Sequence, residues 1–400
     1  MRRFFENFLH LLLTGIIVGL LLGQVGRIEV IFSSIHLYIF EPLIVLHLFI
    51  CLGMWGTYPI INFSKKFPYV ILFFVYCFVT YLLRWQLYNT LENAIGILYF
   101  IRIISLFLFC VYFKKAIEIL PLHHFLLKWG LRIFIILILI MSFGQYFLYQ
   151  DLRNLYYQGW DPHLNRMFGL YFDPPLLGAI LGLSLLHLLY HLKDYKYRYV
   201  TYCITLLLVV GSLLTFSRGG YVALMTVILI YFFKSKMLRI GLVSIGICLF
   251  IYFGMTVQHN NESINLLRIS TIQSRLEDYQ EGIRVWNTSQ IIGIGYNRIG
   301  AEKHIQGDTT TTLTNNARAS FHSSFIIILV TTGIMGLVWC CLLLYRISKT
   351  TKFVSIIIMY VSVYSLFDNI MLHSMVILYV FMIVLSEQKR IILDSHNIDV

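Results

Sequence analysis

The sequence has few charged residues. Asp, Glu, Lys and Arg make up 12% of its 400 residues, whereas a soluble domain has about 25%. Hydrophobic residues make up 58%, and apolar runs long enough to cross a bilayer recur throughout the chain. The sequence also lacks the alternating segments, about ten residues each, that form a transmembrane β-barrel. These absences exclude a soluble protein and a barrel, and they favour a polytopic α-helical membrane protein.

Signals for several other classes are also missing. The first apolar run has no small-residue cleavage site, so we interpret it as a membrane span and not as a signal peptide. All seven cysteines lie in apolar runs, without the spacing of a metal site or a disulfide framework, which suits small buried side chains. The net charge of +12 comes from short loops between the runs, as the positive-inside rule describes. The charge therefore predicts contact with a bilayer and not with nucleic acid.

We predict one all-α integral membrane domain, residues 1–400, with about twelve transmembrane helices. Basic residues alternate from loop to loop, which places both termini in the cytoplasm. A long extracytoplasmic loop, 257–322, joins helices nine and ten, and a cytoplasmic tail covers 386–400. The predicted spans are 8–25, 37–55, 67–83, 93–113, 130–149, 176–192, 199–216, 221–233, 240–255, 323–345, 353–367 and 371–385.

The 257–322 loop is the only long polar segment. It balances six Lys and Arg residues against six Asp and Glu residues. Long loops without obvious regular structure are usually functional or disordered, so we expect the chemistry of this protein to lie here. Within the loop, Leu276, Tyr279, Ile283 and Trp286 recur at helical spacing, which predicts an amphipathic helix over 274–286.

Two arginines stand out on the predicted outer face. Arg166 lies just before the sixth span, where Pro174 and Pro175 prevent a regular helix start and leave backbone N–H groups free for a ligand. Arg218 lies in a tight turn and is followed by two glycines, which permit close backbone approach. A guanidinium there suits bidentate binding of phosphate. Each arginine, taken alone, also suits a cation that snorkels to the membrane surface.

The long loop supplies two further candidates. Arg275 lies in the first turn of the predicted 274–286 helix, where a solvated surface charge is the alternative interpretation. His322 lies at the end of the loop, near the start of a span, where a histidine can act as a base or be purely structural. Within the fourth span, Arg102 needs a partner such as Glu41 or the backbone beside Pro42, because an unpaired charge in a bilayer is costly.

Taken together, these features resemble the bacterial O-antigen ligase and O-antigen polymerase proteins. The order and spacing of the motifs match that family from about residue 160 to 340. Three positions depart from its usual pattern: Tyr279 stands where Trp is usual, Ser323 stands where Asn often follows the histidine, and no Asn follows Pro174. The matching motifs are Arg166-x-x-Gly169, Ser217-Arg218-Gly219, Arg275-x-x-x-Tyr279 with the later Gly293-x-Gly295, and His322 with the later Gly333-x-x-Gly336.

This resemblance implies a membrane glycosyltransferase of the C-type fold in the bacterial inner membrane. Its donor would be a glycan on undecaprenyl diphosphate at the outer face, and its acceptor a sugar hydroxyl on a lipid-linked unit or on lipid A-core. Other polysaccharide assembly proteins are further candidate partners. We find no outer Asp-x-Asp pair, so we expect no metal at the reaction site and no cofactor. The implied roles are catalytic base for His322, diphosphate binding for Arg166, Arg218 and Arg275, and accessory functions for Arg284, Arg318 and Arg102.

Several functions remain open from the sequence. We favour a polymerase for O-antigen, capsule or exopolysaccharide, because the departures suit a protein adapted to one repeat unit. A ligase that transfers finished polysaccharide to lipid A-core is the alternative within the family. A transporter of polysaccharide or lipid-linked sugar would have internal repeats and broken midplane helices, which the sequence does not reveal. An assembly scaffold would give the outer arginines no purpose.

Overall fold

The computed structural model of the protein describes residues 2–30, 35–158, 161–192, 197–232, 269–305 and 320–387. They form an α-helical bundle with one antiparallel hairpin of two strands. This architecture confirms the predicted all-α membrane class. The helices are α1 (Arg2–Leu22), α2 (Phe40–Trp55), α3 (Tyr58–Lys66), α4 (Pro68–Leu83), α5 (Thr90–Ile119), α6 (Pro121–Leu148), α7 (Pro174–His191), α8 (Arg198–Leu214), α9 (Arg218–Val227), α10 (Ile269–Asn287), α11 (Ile299–Ile305), α12 (Ser324–Ser348), α13 (Lys352–Ser365) and α14 (Ser374–Ser386), and the strands are β1 (Arg27–Val30) and β2 (Ile35–Tyr38).

Five of these helices, α1, α5, α6, α7 and α12, are long and apolar enough to cross a membrane. α2 and α3 would together form a sixth crossing, although the chain bends by 95° between them. Helices α4, α8, α13 and α14 are also apolar but shorter. The same holds for α9 together with its π-helical extension Ile228–Phe232. Eleven of the twelve predicted spans coincide with helices, and the ninth, 240–255, lies outside the described residues. The count of twelve crossings stays a prediction.

Two short elements near the first spans, the β1–β2 hairpin and helix α3, were not predicted. β1 pairs with β2 in antiparallel register, from Arg27 opposite Tyr38 to Val30 opposite Ile35, and this hairpin leads into α2. Gly56 ends α2 with a positive φ of 59°, and its N–H caps the Leu52 carbonyl at 2.8 Å. The chain then turns sharply into α3 because glycine tolerates this backbone conformation.

Helix α7 lies at the centre of the bundle. It packs against α8, α9, α13 and α14, and almost all its side chains are buried. Gly182 makes the contact with α13 possible, because a Cβ there would lie 2.0 Å from the Tyr360 hydroxyl. That hydroxyl donates to the Gly178 carbonyl at 3.1 Å. Small residues of this kind let helices in a membrane approach closely, and here they fix α7 relative to α13.

Helix α12 is broken at Gly333, whose φ of 69° and ψ of −176° are not helical. The break frees backbone carbonyls, which need new donors in an apolar interior. The loop that follows α10, residues 290–295, enters the break and supplies amide donors; we call it the wedge. The freed carbonyls accept as follows: Val330 from Ile294 N at 3.0 Å, Thr331 from Gly295 N at 2.9 Å, and Thr332 from the Tyr76 hydroxyl at 2.7 Å.

Candidate functional site

The turn between α13 and α14, residues 366–373, is where the sequence motifs meet. The N-termini of α7, α9 and α12 all lie around it. A helix N-terminus carries partial positive charge and free N–H groups, and it is a ready site for an anion. One contact places each helix end. For α7, the Tyr364 hydroxyl donates to the Pro175 carbonyl at 2.8 Å, and for α12, Ser324 Oγ donates to Asn369 Oδ1 at 3.1 Å. For α9, a Cβ added to Gly219 would lie 3.0 Å from Asp368 Oδ2.

Asp368 links this turn to helix α10. Arg275 Nη2 donates to Asp368 Oδ1 over 2.8 Å, and the carboxyl is nearly buried. Burial raises the pKa of Asp368, although the charges of Arg275, His322 and Arg166 oppose the shift. The carboxylate therefore lies within electrostatic reach of three of the four residues singled out from the sequence.

The position of Arg275 differs slightly from the sequence prediction. α10 begins at Ile269, five residues before the predicted start, so Arg275 lies in its second turn and not its first. The apolar spacing in the sequence in fact continues back to Ile269, and the helix follows it. One turn later, the Tyr279 hydroxyl donates to the Leu366 carbonyl at 2.6 Å. These two contacts dock α10 onto the α13–α14 turn.

His322 is held by Asp278, which lies one turn after Arg275 on the same face of α10. The backbone N–H of His322 donates to Asp278 Oδ2 at 2.8 Å, and Nδ1 lies 3.1 Å from the same oxygen. The hydrogen bond with Asp278 raises the pKa of His322 above its usual value, against the effect of burial. The carboxylate fixes the proton on Nδ1, so the half-exposed ring presents the lone pair of Nε2.

The contact with His322 also changes the pKa of Asp278. Burial favours the neutral form of Asp278, but the hydrogen bonds from His322 outweigh it and hold the pKa of Asp278 below its usual value. A carboxylate that stays ionised is the group needed to stabilise an imidazolium. The His322–Asp278 pair therefore has the geometry and electrostatics of a base with its orienting acid.

Arg166 binds the turn that carries Arg218. Its Nε donates to the Thr215 carbonyl at 3.0 Å and its Nη2 to the Phe216 carbonyl at 3.1 Å. Phe216 has a φ of 51°, an uncommon conformation for a bulky residue. Burial lowers the pKa of Arg166, while the charge of Asp173 opposes this shift. The two arginine motifs, which lie fifty residues apart, therefore form one structural unit.

Arg218 is the first residue of α9 and is half-buried. The preceding Ser217 Oγ lies 2.6 Å from the Tyr364 hydroxyl, and a Cβ on Gly220 would lie 3.0 Å from the same oxygen. The glycines that follow Arg218 thus allow the start of α9 to pack directly on α13. This close packing brings the Arg218 turn beside Asp368.

A second carboxyl, the half-buried Asp173, precedes α7. Burial, with the negative charges of Asp368 and Asp161, raises the pKa of Asp173 to about 7, and Arg166 opposes the shift. We call Asp173, Asp278 and Asp368 the site carboxylates. They balance the arginines, so the group is not a simple cluster of positive charge.

The three accessory candidates lie elsewhere or outside the described chain. Arg284 is exposed and pairs with Glu281, one turn away, at 3.0 Å. Arg102 pairs with Glu41 at 2.9 Å and donates to the His36 carbonyl, which supplies the partner that the sequence required. Within the described part of the chain, neither of these two arginines contacts a site carboxylate. Arg318 lies outside the described residues.

The site carboxylates were not predicted to be functional from the sequence. Two signals pointed to them. Asp278 follows Arg275 by three residues, so both had to share a face of any helix. Asp368 stands in a very short turn between two predicted spans, where a carboxylate is easily desolvated. The partners of these carboxylates come from distant parts of the chain, and no local pattern encodes them.

A family comparison covers part of the chain that forms this site. Residues 203–341 match a family model described as O-antigen ligase. The matched segment is about a third of the 400-residue chain. The match covers α8 to most of α12, with Arg218, Arg275 and His322, and it leaves out Arg166 and Asp368. A search of curated proteins found no match.

This match confirms, over residues 203–341, the resemblance drawn from the motifs. Together with the apolar helices, this match supports an integral membrane protein in which residues 203–341 are similar to O-antigen ligases. The residues outside the matched range contribute two of the groups around the α13–α14 turn, namely Arg166 and Asp368. The matched segment therefore contains only part of the candidate site.

Proposed function

We propose that this protein is a polymerase-type glycosyltransferase. It transfers a glycan from undecaprenyl diphosphate to the sugar hydroxyl of a second lipid-linked unit, at the outer face of the bacterial inner membrane. The observation that supports this most is the grouping of the Arg166–Arg218 unit and Arg275 around Asp368, beside the His322–Asp278 pair. The arginines suit a diphosphate, and the histidine suits a hydroxyl.

The diphosphate leaving group develops negative charge as its bond to the sugar breaks. Donors fixed in advance stabilise that charge most effectively. Nε of Arg275 is buried and has no hydrogen-bond partner in the described part of the chain, so it is one such donor. A diphosphate oxygen would replace Asp368 as the partner of Arg275, because phosphate accepts charge-assisted hydrogen bonds from a guanidinium. The N-termini of α7, α9 and α12 add their partial positive charge.

The acceptor hydroxyl requires a base. Nε2 of His322 takes its proton as the acceptor oxygen attacks the anomeric carbon. The bond from that carbon to the diphosphate oxygen breaks, and the electron pair leaves with the diphosphate. Asp278 stabilises the resulting imidazolium. In-line attack of this kind inverts the anomeric centre, and the lipid tail of the donor stays between helices in the bilayer.

The first experiment compares glycans from a deletion strain that carries the wild type, His322→Ala, Arg218→Ala or Arg284→Ala. Removal of a general base costs about 10²–10⁴-fold in rate, and removal of one anion-stabilising donor about 10²–10³-fold. We expect His322→Ala and Arg218→Ala to abolish polymer and to accumulate single lipid-linked repeat units. Arg284→Ala is the matched control, because that arginine is exposed and pairs with Glu281 on its own helix. A normal glycan profile in both site variants would refute the proposal.

The same experiment distinguishes the ligase, which the description of the matched family favours as the second candidate. A ligase makes no repeat-unit bonds, so its loss leaves full-length polymer on undecaprenyl diphosphate. A polymerase variant leaves single units there instead. Extraction of the lipid-linked intermediates therefore separates the two activities, and wild-type lipid-linked profiles in both site variants would favour a transporter.

A further inference from the structure

A second group of ionisable side chains lies at the opposite end of α7. His187 and His191 are one helical turn apart near its C-terminus, and Glu387 follows the end of α14. One potential ligand atom from each of the three residues lies within 4.8 Å of the others. Neither histidine is used in the proposed glycosyl transfer.

The group is buried and tightly packed. His191 Nε2 lies 3.0 Å from Glu387 Oε2, and these side chains are 7% and 14% exposed. The two histidine rings have centroids 5.1 Å apart. His187 Nδ1 is buried without a hydrogen-bond partner among the residues that the structure describes. A buried polar nitrogen of this kind is costly, and a ligand would remove the cost.

The chemistry of the three groups suits a transition metal. Two histidines at positions i and i+4 lie on one helix face, the spacing with which paired histidines hold zinc. A carboxylate completes a His₂Glu set, and water commonly takes the fourth position of such a zinc site. Lys128 and Arg132 also act electrostatically on this group. An ion held there must therefore be bound by ligand bonds and not by surrounding negative charge, which favours Zn²⁺ over Mg²⁺ or Ca²⁺.

We propose that His187, His191 and Glu387 bind one divalent transition-metal ion, with Zn²⁺ as the best fit. The ion joins the end of α7 to the end of α14 and stabilises their packing. α7 has 18 residues, so its length of about 27 Å separates this group from Asp173 at its other end. The metal is structural, and the proposal does not depend on the function proposed for the outer site.

The test measures metal content and thermal unfolding of the full-length protein in detergent. Purification uses a tag without histidines, so that the tag itself binds no metal. We expect about one equivalent of zinc per chain by elemental mass spectrometry, after incubation with Zn²⁺ and removal of the excess. His187→Gln and Glu387→Gln should lose it. His163→Gln, which removes a histidine from an outer loop, is the matched control and should retain it.

A second measurement does not depend on the variants folding. Wild-type protein stripped with a chelator should gain thermal stability on addition of Zn²⁺ and not of Mg²⁺. Wild type that binds clearly less than one equivalent and shows no shift in Tm would overturn the proposal. Equal zinc content in the wild type and in folded His187→Gln would also overturn it, because the metal would then be adventitious. A destabilisation in Glu387→Gln that is the same with and without Zn²⁺ would identify a simple His191–Glu387 ion pair instead.

Discussion

The carboxylate of Asp278 controls both the orientation and the charge of His322. It accepts hydrogen bonds from the backbone N–H and from Nδ1 of the same residue, so the imidazole cannot turn without losing one of them. The same contact raises the pKa of His322. A stronger base is protonated at a higher pH, so the orienting acid also determines where activity is lost on acidification.

We therefore predict a shifted pH profile in Asp278→Asn. A neutral imidazole is required to accept the proton, so the wild-type rate rises as pH increases through the pKa of His322, which lies above the usual histidine value. The asparagine removes the negative charge, which lowers the pKa of His322 and moves the acid limb to lower pH. The plateau rate also falls, because the imidazolium loses its partner. The measurement is kcat/KM against pH.

Glu277→Gln is the matched control for this profile. Glu277 is the exposed neighbour of Asp278 and interacts with Gln273 on its own helix. Its removal should leave the acid limb unchanged. An unshifted limb in Asp278→Asn would show that another group, and not His322, limits activity at low pH.

Among the elements, the broken helix α12 depends on a specific residue at one position. Its break at Gly333 receives the wedge, and His322 lies just before the N-terminus of the same helix. A Cβ at Gly333 would lie 2.1 Å from the Ile291 carbonyl oxygen, and the residue has a φ of +69°. The path of α12, and with it the position of His322, depends on a glycine at this point.

We predict that Gly333→Ala destabilises the protein and reduces its activity. Backbone strain alone costs about 1–3 kcal/mol at such a position, and the overlap with Ile291 adds to it. Thermal unfolding in detergent and glycan synthesis are the two readouts. Gly53→Ala is the control, because a Cβ there meets nothing within 4 Å. That control should be neutral or stabilise α2 by about 0.5–1 kcal/mol, and equal effects of the two substitutions would contradict the role of the wedge.

On the scale of the whole molecule, one buried arginine joins the segment 287–305 to helices α4 and α5. Arg298 is 1% exposed. Its guanidinium lies 3.8 Å from the ring centroid of Tyr81 and 4.5 Å from that of Tyr88, and it donates to Asn93 Oδ1. These partners belong to α4, α5 and the connection between them. The segment that carries the wedge is therefore anchored at two places.

Arg298→Ala should detach this anchor. Each desolvated cation–π contact contributes about 2 kcal/mol, so we expect a lower Tm and faster proteolysis within 287–305, mapped by mass spectrometry. Arg284→Ala is the control, since that side chain is 74% exposed. Identical cleavage patterns in the two variants would mean that Arg298 does not hold the segment.

Much of the fold could be predicted from the sequence, because a long apolar run in a bilayer has few structural choices other than a helix. The runs at 93–113 and 323–345 illustrate this, since both fall within long helices. The β1–β2 hairpin and α3 could not be predicted in this way. Both are short, and their structure depends on the helices against which they pack and not on a repeated pattern.

For the candidate site, the sequence identified four residues but not how they meet. Arg275 and Asp368 are 93 residues apart, and their contact depends on how α10 docks on the α13–α14 turn. The motifs specify the residue types and the local turns. The carboxylates that hold them come from packing between distant elements, which a single sequence does not display.

The burial of α7 has a consequence for how the protein is made. α7 is the least apolar of the five long helices and the most enclosed by protein. Its transfer from the insertion machinery into lipid is therefore the least favourable of the five. Its neighbour α8 is synthesised directly after it, but Tyr360 follows Gly178 by 182 residues. At about 5–20 residues per second, a ribosome needs roughly 10–40 s to make that stretch. During that interval α7 lacks the partner that its glycines fit, and α8 is the first to be made of the four helices against which α7 packs.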